Sequence, residues 1–314
     1  MIADLVNLIL SGDDDAVWEL EEQTDDDPAA LRPYLVRLLD AEMYVPESLF
    51  RAADEDLQRA AVARVDAGAE DWDYLVTVLT ATRGPVAEAA FGRWLKQPPA
   101  GMALDAFTGL LHRNGWDFDT TGQARQLCGP TAYQLVPGTA SEPAEGQCPW
   151  CGGRLWNVLD VDTADPRVAA ALAHASWRGR LRIVSCYLCS TYGNTYAQVT
   201  PDGGSAWSAH TVQPRHLRER ELEKADPPRT RLTPGEPRPA LYLGGDGESE
   251  GTSTLGGQPG WVQDPHYPAC PACGKVMSYI GAVTGADVAE AGVGTYFLFL
   301  HEPCELAVVV SQFS

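Results

Sequence analysis

The sequence is short of positive charge. Its 314 residues carry 23 Lys and Arg against 43 Asp and Glu, a formal net charge of −20, and the pI is near 4.6. Such a chain repels phosphate backbones and anionic lipid, which argues against nucleic-acid and membrane-surface partners and favours a basic protein partner. No stretch approaches the roughly 20 apolar residues a membrane span needs. The short apolar run at residues 1–10 has no basic segment before it and is followed by Asp13, Asp14 and Asp15, so it does not read as a secretory signal, and a cytoplasmic location is expected. Cysteine is absent from the first 127 residues. Also missing are His-Glu-x-x-His, His-x-Glu with Pro-Cys-x-x-Cys, and Gly-x-x-x-x-Gly-Lys-Ser/Thr, which removes the usual zinc-protease, deaminase and P-loop readings. Gly247-Glu-Ser-Glu-Gly251 fits the Gly-x-Ser-x-Gly string, but the Thr252-Ser-Thr-Leu-Gly-Gly that follows will not start the helix a nucleophile elbow requires, and a solvated loop is the reading.

Hydrophobic residues make up 45%, enough for a packed core. Charge and composition divide the chain. Residues 1–110 hold 22 acidic and eight basic side chains, a net of −14, while residues 111–314 hold 21 and 15, a net of −6. Ile2, Leu5, Val6 and Ile9 fall at helical spacing, and Pro28, Pro46 and Pro85 sit where helices begin. Residues 57–65 and 86–95 resemble each other at an offset of 29, with Ala60-Ala61 matching Ala89-Ala90. Stacked HEAT-like hairpins would give this recurrence, although the period is shorter than the roughly 40–47 residues of that repeat and an unrelated helical bundle is the alternative. The rest is strand- and loop-rich, with candidate strands at 154–161, 181–185, 192–200, 240–243, 276–280 and 294–300. The expected fold is α+β and multidomain: an acidic HEAT-like all-α domain at 1–112, a zinc-ribbon β domain at 113–225, a Pro/Gly-rich connector at 226–254, and a second zinc-knuckle β domain at 255–314.

The cysteines carry the chemistry. Cys148-Pro-Trp-Cys151-Gly-Gly is followed by Cys186-Tyr-Leu-Cys189, and Cys270-Pro-Ala-Cys273-Gly by His301-Glu-Pro-Cys304. A Cys-x-x-Cys-Gly turn converges two thiolates on one ion, and tetrahedral zinc then needs two more N or S donors from elsewhere. The predicted sites are therefore Cys148, Cys151, Cys186 and Cys189 for one structural zinc, and Cys270, Cys273, His301 and Cys304 for a second. His266 competes with His301 for the fourth position of the second site. The gaps of 34 and 27 residues between pairs are long, but loop closure costs grow only logarithmically. Disulfides and thioredoxin-like redox chemistry are the rival readings; reduced cytosolic thiols and paired knuckles speak against both. Cys128 has no partner in this pattern and reads as a small buried residue. Glu302 is a conceivable base, with an exposed loop carboxylate as the plainer reading.

The segment Leu255-Gly-Gly-Gln-Pro-Gly-Trp-Val-Gln-Asp264, then Tyr267-Pro-Ala-Cys-Pro-Ala-Cys-Gly274, Met277 and Gly294-Thr-Tyr-Phe-Leu-Phe299, resembles the YwqG-like family of bacterial proteins of unknown function. It is similar, more distantly, to the programmed-cell-death-2 group, whose members act as chaperones for a basic ribosomal protein. The resemblance covers 255–314, extends to the ribbon around 148–200 as a companion domain, and does not reach the helical part. It implies that Cys270 and Cys273 are a first metal pair and that Cys304 belongs to the second, with His301 departing from the expected Cys. Gln312 falls where relatives carry a polar-aromatic tail.

These features point to a non-enzymatic zinc-binding interaction module that captures a basic protein, of immunity-protein or dedicated-chaperone type. The alternative is a zinc-dependent hydrolase or transferase with an open second metal site. Nucleic-acid binding through Arg178, Arg180 and Arg182 or through Arg215, Arg218 and Arg220 is a weaker reading, since the net field is repulsive and 215–223 alternates sign.

Overall fold

Ile2, Leu5, Val6 and Ile9 do line one side of a helix: α1 (Ile2–Leu10) buries Leu5, Val6 and Ile9. The computed structural model describes the chain except residues 25–26, 120–121, 141–143, 219–221, 223, 225, 239–251, 291 and 314. It divides into two compact units, Met1–Arg125 and Gln126–Ser314. The first is helical, with α2 (Asp15–Thr24), α3 (Arg32–Asp40), α4 (Glu55–Asp66), α5 (Trp72–Thr82), α6 (Pro85–Trp94) and α7 (Leu104–Arg113), followed by the short β1 (Trp116–Phe118) and β2 (Ala124–Gln126). Asp54 caps α4 by accepting from the Leu57 amide at 2.9 Å. Pro85 opens α6 as its position suggested, whereas Pro28 opens a 3-10 turn, Pro28–Leu31, and Pro46 precedes another, Glu47–Phe50.

The offset of 29 reappears in burial. Gln58, Ala61 and Val65 of α4 and Ala87, Ala90 and Trp94 of α6 face the core, and the two helices contact each other. Of each alanine pair the second member is buried and the first exposed. Phe91, Trp94, Phe107 and Trp116 form the aromatic centre of this core, with the Phe91 and Trp116 rings edge to face at 5.5 Å.

In the second unit an antiparallel sheet is built from β3 (Ala132–Ala140), β6 (Thr195–Val199), β7 (Ser205–Trp207), β8 (Thr230–Arg238), β9 (Thr254–Gly256), β10 (Ser278–Thr284), β11 (Thr295–His301) and β12 (Leu306–Gln312). Their spatial order is β7-β6-β12-β11-β10-β9-β3-β8. A separate antiparallel pair, β4 (Trp156–Asp162) and β5 (Arg180–Ser185), carries α8 (Pro166–Ala171) in its connection. The fold is thus α+β, helices first and a large antiparallel sheet after.

The central strands are covered on both faces. Alternate residues of β11 and β12 separate cleanly: Leu298, Leu300, Ala307 and Val309 join one core, and Phe297, Phe299, Val308 and Val310 another. The first core takes in the β4–β5 pair and Cys148, Cys151, Cys186 and Cys189; the second takes in Cys270, Cys304, Trp261 and Tyr267. The two cysteine groups therefore lie on opposite faces of one shared sheet. The segment expected as a connector contributes the edge strand β8, and β12 of the last region pairs with β6 of the middle one. Pairings this distant in sequence leave no local pattern. The candidate strand at 240–243 and the Gly247–251 motif lie outside the described residues. At 215–223 the described part forms only a 3-10 turn, Arg215–Leu217, and Arg220 is outside it.

Candidate metal centres

Each knuckle is shaped by the same backbone pattern. In the first, the Cys148 amide donates to Gly153 O and the Gly152 amide to Cys148 O, both at 2.8 Å. In the second, the Cys270 amide donates to Lys275 O and the Gly274 amide to Cys270 O, both at 2.7 Å. The glycine after each second cysteine has a left-handed backbone, φ +69° at Gly152 and +78° at Gly274, which a side chain would oppose. The turn also points amides at sulfur: Trp150 N to Cys148 Sγ and Gly153 N to Cys151 Sγ, each at 3.4 Å. The completing donors arrive at strand ends. Cys186 follows β5 directly, and the Cys189 amide reaches Cys186 Sγ at 3.4 Å. His301 is the last residue of β11, and Cys304 closes the 3-10 turn Glu302–Cys304 that leads into β12.

All eight predicted donors are brought together, in the two groups expected: Cys148, Cys151, Cys186 and Cys189, and Cys270, Cys273, His301 and Cys304. Within each group the ligand atoms lie within 4.8 Å of one another. The donor geometry fits a tetrahedral ion. Bonds of about 2.3 Å to sulfur place two sulfurs about 3.8 Å apart, and Cys151 Sγ and Cys186 Sγ stand at 3.6 Å. Cys273 Sγ is 3.8 Å from His301 Nδ1 and 3.7 Å from Nε2. These separations are far beyond a disulfide bond, and no disulfide joins any two of the eight cysteines. Both groups could each hold a metal ion.

The protonation pattern of the first group suits a cation. Hydrogen bonds from Cys186 and Cys189 pull the Cys148 thiol down to about 2, while the same hydrogen bond to Cys148 pushes Cys186 up to about 12 and Cys189 rises as well. One thiolate is held by its neighbours' protons, and those are the protons that an ion displaces on binding. In the second group the Lys275 amide lowers Cys273, and desolvation followed by hydrogen bonds to Cys273 and Cys270 pushes Cys304 up to about 11.

Other candidate residues fall elsewhere. His266 is exposed in a shallow depression with Gln263, Asp264 and Gln312, outside the second group. Cys128 is fully buried beside Cys270 and Tyr279 in the aromatic core. Glu302 is exposed. The basic segment at 178–182 is largely spent on one carboxylate: Arg180 Nε and Nη2 both donate to Asp160 at 2.7 Å, with Arg182 and Arg231 3.7 and 3.9 Å away. Sequence reading missed this hub, for which the only local signal is an acid placed opposite Arg182 in a hairpin. It also missed the work of Gln312, whose Oε1 accepts from the Val262 and Gln263 amides at 2.9 Å and whose Nε2 donates to Asp264 O at 3.0 Å. This holds the segment in which Trp261 lies 4.9 Å from the Phe297 ring.

No family model matches the chain, and no solved structure matches it. The chain is similar to a curated protein of Salmonella typhimurium named "Uncharacterized protein YpfL", at 28% identity over 275 residues. That similarity takes in 84% of this chain but 64% of the relative's length.

Proposed function

We propose that the chain is a non-enzymatic, zinc-stabilised interaction module that captures a basic protein partner in the cytoplasm, as an immunity protein or a dedicated chaperone does. The observation that carries this reading is the closed donor set. Each cluster supplies four protein donors of the type zinc prefers, and four donors leave no position for a reacting water. Bound zinc would then act as a structural cross-link, with Cys148, Cys151, Cys186 and Cys189 holding one ion in a ribbon-like arrangement and Cys270, Cys273, His301 and Cys304 the other. The helical unit supplies the attraction. Asp13, Asp14, Asp15, Glu19 and Glu22 are all exposed along the start and outer side of α2, in a region of net charge −14. A HEAT-like stacking of α4 to α6 would present such a face, and the YwqG-like and programmed-cell-death-2 resemblance points toward protein handling.

The test is retention of a stoichiometric basic protein by the tagged chain from its own cells at low salt. The partner should be released near 0.5 M salt, where screening confines charge effects to roughly 4 Å. A chain that retains only acidic proteins, or none, refutes partner capture. The enzymatic alternative draws on the exposure of Cys273, and His301 in the fourth position argues against it. X-ray absorption of the zinc-loaded chain separates the two, because an oxygen donor in place of the imidazole would favour a hydrolase.

A further inference from the structure

The two clusters differ in how solvent reaches their sulfurs. In the first, Cys148, Cys151, Cys186 and Cys189 are 1%, 8%, 3% and 0% exposed. In the second, Cys270 and His301 are buried at 0% and 5%, but Cys273 is exposed and Cys304 half-buried. The knuckle tips repeat the contrast. A Cβ on Gly152 would meet the Lys224 side chain at 3.5 Å, whereas one on Gly274 would meet nothing within 4 Å. The first knuckle tip has the end of the Lys224 side chain beside it, and the second has open space.

We infer that Cys273 and Cys304 form a peroxide-sensitive pair, oxidised to a disulfide by a hydroperoxide with loss of the ion they hold, while the first cluster keeps its ion. This rests on the two-zinc reading above. In the first step the Cys273 thiolate attacks the peroxide: an S–O bond forms, the O–O bond breaks, and the alkoxide or hydroxide leaves and takes a proton from water. Cys273 is then a sulfenic acid. The Cys304 sulfur, within 4.8 Å, attacks it; the S–S bond forms and hydroxide leaves. With hydrogen peroxide, two thiolates are oxidised and one peroxide is reduced to two waters, two protons being consumed. Only Cys270 and His301 then remain as donors, too few for a tetrahedral site.

The moving partner is the knuckle. The Cys304 turn is fastened to β6, because Gln198 Nε2 donates to Cys304 O at 3.2 Å and the Val199 amide to Glu305 O at 2.8 Å. Oxidation would therefore draw the Cys273 tip toward a fastened turn.

The test uses the unmodified, zinc-loaded full chain. Its metal content is measured first, then hydrogen peroxide is added while a chromophoric chelator reads free zinc and peptide mass spectrometry maps the disulfides. One ion per chain should be released at least about tenfold faster than the other, in step with a Cys273–Cys304 disulfide, and thiol reductant with added zinc should reverse both. Parallel release of both ions, no peroxide-dependent release, or a first disulfide within the Cys148 group would each overturn the inference and leave the two-zinc reading standing. A content below two ions before peroxide is added would remove both.

Discussion

Gly256 has φ +73°, and a Cβ there would press into the Thr131 carbonyl oxygen and lie 2.8 Å from the Ala171 Cβ. Gly274 has nearly the same backbone, φ +78°, but open space around it. The pair separates backbone strain from crowding. Gly274→Ala should cost about 1–2 kcal/mol, the left-handed penalty alone, and Gly256→Ala about 2–4 kcal/mol once overpacking is added. Denaturant midpoints of the zinc-loaded variants measure the difference, and equal costs would show that the Thr131 and Ala171 contacts relax. At this scale much of the site was legible. Cys-x-x-Cys-Gly is a local pattern because the turn that aims two sulfurs at one point is itself local, and His301 stands at the same short spacing from Cys304. Gln312 was not legible as a clamp, since its three backbone partners lie 48–50 residues earlier and any polar residue could have occupied its place.

Among the elements, β4, β5, β10 and β11 could be read approximately from their β-branched and aromatic runs, whereas β3 and β8 could not. Pro137 interrupts the first, and Pro234 and Pro237 the second. The sheet accommodates them through position. Among the described strands β8 is at the edge, and Pro137 lies beyond the described pairing of β9 with β3 at Ala132, Tyr133 and Gln134. One carboxylate links three of these elements, because Asp160 of β4 meets Arg180 and Arg182 of β5 and Arg231 of β8. Burial would raise the Asp160 carboxyl, but the Arg180 hydrogen bond and the three cations hold it below its ordinary value. A depressed folded value means that its contribution is complete above the unfolded value near 3.9 and is lost as pH falls through the folded one. Asp160→Asn should therefore cost about 1–3 kcal/mol near neutral pH, with the gap to the unaltered chain closing below about pH 4. Thermal melts across that range check it, and a gap that stays constant in acid would place the cost elsewhere than in the carboxylate's charge.

For the molecule as a whole, the division into Met1–Arg125 and Gln126–Ser314 predicts an uneven response to metal removal. Both candidate ions belong to the second unit, and binding energy at such sites is folding energy. Chelation should strip hydrogen-exchange protection from the β3–β12 region while the amides of α1–α7 keep theirs. Unchanged protection in β5, β6 and β11 would mean that the clusters do not hold the sheet together. The shared sheet was the least legible feature, because it depends on which distant strands meet, and hydrophobic alternation is silent on that. Its arrangement also bears on synthesis. β12 lies between β6 and β11, so a strand made after both of them joins the two halves of the sheet. All eight donors precede it in the chain. A growing chain thus offers every ligand before the joining strand exists, and both ions can be taken up while β6 and β11 still have bare edges. Zinc supply during translation, more than the stability of the finished protein, would then decide how many chains close correctly and how many aggregate through those edges.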